Sequence, residues 1–135
     1  MKFHIGDVIS VTTGVLVSNE GIDGVQKIVS YLCGREIFTH EIPRACDLCE
    51  PKIAEEFNGL SKENLQEDIS KLTKMLIDCD TYKEKKVVVE EWNGLMEDKF
   101  REFVELKPIQ DALEYFNKTN PINSLIGMMN QRDKK

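Results

Sequence analysis

The chain has 135 residues, 41% hydrophobic and 31% charged, which suits one globular domain with its own core and excludes a disordered chain. Its 18 basic and 24 acidic residues leave a formal charge of −6, so it is not built to coat phosphates and direct nucleic-acid binding is not expected. No apolar run reaches the ~20 residues that span a bilayer, and the opening MKFHIGDVIS lacks the unbroken apolar stretch of a signal peptide, so a cytoplasmic protein with four reduced cysteines is expected.

In chain order, residues 7–18 (DVISVTTGVLVS) are rich in Val, Ile and Thr and read as a hairpin or bulged strand relieved at Gly14. Ile22, Val25, Ile28, Val29 and Leu32 recur at helical spacing, and Gly34 is placed to end that helix in a left-handed conformation. Residues 36–40 read as a short strand. Pro43 opens a short helical turn over residues 45–49, and Pro51 starts or kinks the next helix. Ser61 serves as N-cap of a helix whose Leu65, Ile69, Leu72 and Leu76 share one face.

Residues 86–92 (KVVVEEW) read as a strand covered on both faces, because three valines follow one another. Beyond Gly94, the residues Met96, Phe100, Phe103 and Val104 make one helical face. Pro108 opens another helix with Ile109, Ala112, Leu113 and Phe116 inward; Asn120-Pro121 ends it before the apolar segment INSLIGMM. The fold class expected is α+β: a small N-terminal antiparallel or mixed sheet with one packed helix, followed by a mainly helical C-terminal half. A single domain is expected over residues 1–130, with a loose C-terminal tail over residues 131–135.

The chemistry concentrates in residues 37–51, IFTHEIPRACDLCEP. Cys33, His40, Cys46 and Cys49 follow the pattern C-x6-H-x5-C-x2-C, three thiolates and an imidazole of the kind zinc prefers. Only one close cysteine pair is present, however, where structural zinc modules carry two, so zinc is the alternative and no cofactor is the leading expectation. The Cys46-Asp-Leu-Cys49 run also resembles a redox motif, but Asp47 disfavours a thiolate beside it. A deaminase is excluded, since that chemistry needs H-x-E and a distant P-C-x-x-C, and here Glu41 follows His40 directly. Neither a Walker loop nor a dinucleotide fingerprint occurs.

Carboxylates are abundant. Residues 90–114 hold eight acids against three bases. A charge run of this kind is either a solvated helix surface or an acidic face complementary to a basic protein.

The segments VISVTTGVLVS, GIDGVQKIVSYLCG and REIFTHEIPRAC resemble a family of small uncharacterised proteins of tailed phages and prophages. The matching positions are Val11, Thr12, Thr13, Gly14, Phe38, Thr39, His40, Pro43 and Arg44. The resemblance runs over the N-terminal part of the chain; beyond it only the Val87, Val88, Val89 run and the segment NPINSL correspond. It implies a phage or prophage setting in a bacterial host cell, and it moves weight from the cysteines to His40 and Arg44.

The leading expectation is a non-enzymatic accessory protein that binds a host or phage macromolecule, with an inhibitor of bacterial defence (anti-CRISPR-like) as the specific candidate. Thr39, His40, Arg44, Glu90, Glu91, Glu97, Asp98, Glu102 and Glu105 are the candidate partner-binding residues, and a protein is the expected partner. One alternative is a zinc- or thiol-dependent module centred on Cys33, His40, Cys46 and Cys49. The other is an enzyme using His40 and Arg44 on an anionic small substrate.

Overall fold

The computed structural model describes residues 1–110, together with residues 112 and 114. The apolar segment INSLIGMM, the tail over residues 131–135 and most of the helix expected after Pro108 lie outside the described residues.

The chain opens with β1 (Lys2–His4), which leads straight into α1 (Ile5–Thr13). Next come α2 (Ile22–Cys33), a 3₁₀ turn at Thr39–Glu41, and α3 (Ile42–Glu56). A second 3₁₀ turn at Asn58–Leu60 leads to α4 (Gln66–Leu76) and then α5 (Tyr82–Lys99). β2 (Phe103–Glu105) returns to pair antiparallel with β1, in the register Lys2 with Glu105, Phe3 with Val104 and His4 with Phe103. The fold is α+β, mostly helical, with one two-stranded antiparallel sheet at the N-terminus. Among the described residues, no helix is long and apolar enough to cross a membrane.

Residues 7–13, expected as strand, are the central helix. α1 packs against α2, α3 and α5, and Ile5, Val8 and Ile9 are wholly buried with Val11 close to it. β-branched residues lose only a few tenths of a kcal/mol each in a helix, and burial on every side outweighs that loss. The helix also satisfies its own polar residues: Ser10 Oγ donates to the Gly6 carbonyl at 2.8 Å, and Thr13 Oγ1 to the Ile9 carbonyl at 2.7 Å. Gly14 and Gly34 end α1 and α2 at φ 75° and 74°, where a side chain would be strained.

The valine run is also helical. Val87, Val88 and Val89 lie inside α5, whose start is capped by Thr81 Oγ1 accepting from the Glu84 N–H at 3.1 Å. Glu84 returns the favour by accepting from the Asp80 N–H at 3.0 Å. Trp92 is buried under α5 and donates from Nε1 to the Asp68 carbonyl at 3.1 Å, tying α5 to α4. Asn93, equally buried, donates from Nδ2 to the Val17 carbonyl at 2.7 Å and to Asn19 Oδ1 at 3.0 Å. These bonds fix the loop after α1 to α5.

α3 runs through Pro51 without a break, instead of stopping at residue 49. Pro43 sits in its first turn as expected. Ala45, Cys49 and Ile53, spaced by four, pack into the core and hold the helix together across the proline. Residues 36–40 form no strand: an extended stretch runs into the 3₁₀ turn. The face expected from Met96 to Val104 is split as well, because α5 ends at Lys99 and residues 103–105 become β2.

Candidate functional site

The three segments singled out by resemblance come together around α1, α2 and α3. A cleft of about 440 Å³ opens between the C-terminal end of α1 and the first turns of α3, lined by Thr12, Thr13, Gly14, Leu16, Pro43 and Cys46 among others. The threonine hydroxyls there are already committed, Thr12 Oγ1 donating to the Ile9 carbonyl at 3.3 Å alongside Thr13. Leu16 is 51% exposed and Ile22, on the same cleft, is 43% exposed, so one part of the rim is apolar, while Asp47, Glu50 and Lys62 line another part with charge. Burial pushes the Cys46 thiol up to about 11, with the Asp47 carboxylate adding to the effect. At neutral pH Cys46 is a protonated thiol, a weak nucleophile.

The 3₁₀ turn presents Phe38, Thr39 and His40 outward. Phe38 is 51% exposed, and its ring stacks on that of His40 at 6.3 Å with an interplanar angle of 4°. Pro43 is exposed and Arg44 half-buried on the next turn. The residue that fixes this turn is Glu41, which sequence reasoning passed over in favour of His40. Glu41 is buried, takes Arg35 Nη2 on Oε2 at 2.6 Å, and accepts the Phe38 N–H on Oε1 at 3.1 Å. Gln26 Nε2 donates to the Ile37 carbonyl at 2.8 Å and Ser30 Oγ accepts the Ile37 N–H at 2.9 Å, so α2 holds the other side. The signal was present: a Glu immediately before a helix with an Arg six residues upstream.

The cysteine set is not gathered. Cys33 and Cys49 are buried with their sulfurs 4.0 Å apart, while Cys46 faces the cleft and His40 is exposed on the turn. Among the described residues, no group of three or more His, Cys, Asp or Glu side chains is arranged to hold a metal ion. Cys46 and Cys49 lie three residues apart on one face of α3, but it is Cys49 whose sulfur meets that of Cys33, while Cys46 lines the cleft and His40 stays out on the exposed turn. The contact between the two thiols lowers the Cys33 thiol below its ordinary value and raises that of Cys49, with burial adding to the rise at Cys49.

The acidic residues divide into two groups. Glu97 Oε1 lies 2.5 Å from His4 Nε2, and since His4 Nδ1 accepts the Gly6 N–H at 3.1 Å, the proton of that bond sits on Nε2. Glu105 holds the N-terminal ammonium at 2.9 Å. The first ties α5 to β1, and the second ties the end of β2 to the N-terminus. Glu90, Glu91, Asp98 and Glu102 are exposed, and among the described residues they enter no ion pair. Glu91 and Asp98 share the outward face of α5 with Val87 and Leu95, which are 49% and 56% exposed.

Residues 3–63 match a family model described as a domain of unknown function (DUF7736), a span that takes in the cleft, the Phe38–His40 stack and three of the cysteines and leaves α4, α5 and β2 outside. No curated protein and no solved structure matches the chain.

Proposed function

We propose that this protein is a non-enzymatic phage or prophage accessory protein that acts by binding a protein partner with a basic surface, with inhibition of a bacterial defence complex as its role. One observation carries the reading: the outward face of α5 sets exposed Val87 and Leu95 among the exposed acids Glu91 and Asp98, which enter no ion pair among the described residues. Aliphatic contacts give such a face its affinity, and the acids steer and select a basic partner. The stacked Phe38 and His40 rings, with Thr39 and Arg44, form the second candidate contact, on the part of the chain that matches the domain family.

The test is retention of purified bacterial defence nuclease complexes on the immobilised protein, with a salt titration. Retention that falls with salt, and that drops at least about tenfold in the Glu91→Lys, Asp98→Lys double variant, supports the acidic face. Retention that is indifferent to both salt and this variant refutes the use of α5. Failure to bind any such complex refutes the defence role.

A further inference from the structure

Cys33 and Cys49 are the two cysteines most deeply enclosed, at 2% and 0% exposure, and neither has a role in the surfaces described above. One is the last residue of α2 and the other lies mid-way along α3, where the two helices pack against each other. Their sulfurs are 4.0 Å apart. A disulfide needs about 2.05 Å, so closure asks for an approach of about 2 Å between two sulfurs already in contact.

We propose that Cys33 and Cys49 are an oxidisable dithiol that hydrogen peroxide closes into a disulfide stapling α2 to α3. The Cys33 thiolate attacks one peroxide oxygen, forming Cys33 sulfenic acid and releasing hydroxide. The Cys49 sulfur then displaces hydroxide from the sulfenic sulfur. The protons of the two thiols leave in water, so two thiols and one peroxide give one disulfide and two waters. Arg35, two residues beyond Cys33, favours the thiolate that begins the sequence. The closed loop contains residues 34–48 and with them Phe38, Thr39, His40 and Arg44, so oxidation tethers the base of the exposed aromatic turn to both of its flanking helices. Cys46, lining the open cleft, stays outside the bond.

The experiment treats the folded wild-type protein with hydrogen peroxide, blocks remaining thiols with an alkylating agent, and maps the peptides by mass spectrometry. The expected product has lost two hydrogens, carries two alkyl groups on Cys46 and Cys79, and yields a Cys33–Cys49 cross-linked peptide. The Cys46→Ser variant gives the same cross-link, while Cys49→Ser stops at a sulfenic acid that dimedone traps on Cys33. A cross-link that includes Cys46, or oxidation confined to Cys46 and Cys79, overturns the proposal. The wild-type peptide map decides the matter even where a variant fails to fold.

Discussion

Replacing Glu41 tests the account of the exposed turn most directly. Glu41 is 9% exposed and joins three elements: Arg35 beyond α2, the Phe38 N–H at the start of the turn, and α3, which it precedes. Glu41→Gln keeps an oxygen for Phe38 but removes the charge facing Arg35. Breaking a fully buried pair on one side costs ~3–5 kcal/mol, whereas an exposed pair contributes ~0–1 kcal/mol. Arg35 is 25% exposed and keeps its bond to the Glu36 carbonyl, which places Glu41→Gln at about 1–2 kcal/mol. Glu41→Ala also loses the Phe38 bond and adds about 1 kcal/mol more.

Urea unfolding followed by circular dichroism reads both losses, and pH gives the sign. The hydrogen bond from Arg35 holds the Glu41 carboxyl below its ordinary value, with burial opposing and the Phe38 N–H assisting. A group whose folded value is depressed contributes its full stability above the ordinary glutamate range and loses it as pH falls through the folded value. The gap between wild type and Glu41→Gln is therefore full at neutral pH and closes in acid. Equal urea midpoints at pH 7, or a gap that does not narrow in acid, would refute the role given to this ion pair.

Two further substitutions check the helices that sequence reading divided or missed. Pro51→Ala restores an N–H for the Asp47 carbonyl inside α3 at an exposed position, so stability should rise by about 1 kcal/mol or more in thermal unfolding; a fall would mean that the helix breaks at residue 51. Trp92→Phe removes buried volume and the donor to the Asp68 carbonyl, with an expected loss of about 1–3 kcal/mol in urea unfolding. An unchanged midpoint would show that α4 and α5 are not joined there.

The sequence by itself determined those elements whose partners lie on a single face. α2 carries its apolar residues in one stripe and its terminating glycine in place, and Pro43 and the leucines of α4 mark their helices in the same way. The thiol-raising effect of Asp47 on Cys46 was equally legible, because neighbours in sequence are neighbours in space. α1 escaped because a helix buried on all sides has no polar face to reveal its period, so its β-branched composition spoke for strand. α5 escaped for the same compositional reason, although the run Thr81-Tyr-Lys-Glu84 before the valines is a capping signature that announces a helix.

Only the tertiary structure decided the pairings between distant segments. β1 and β2 are three residues each and about a hundred residues apart in the chain, too short for any alternation to show and joined only because α1 and α5 carry them side by side. The same holds for the cysteines. Spacing in the chain linked Cys46 to Cys49, and the two do share a face of α3, but it is the packing of α2 on α3 that brings Cys33 to within 4.0 Å of Cys49 while Cys46 lines the cleft. A contact across helices depends on which faces meet, and that is a property of the assembled core.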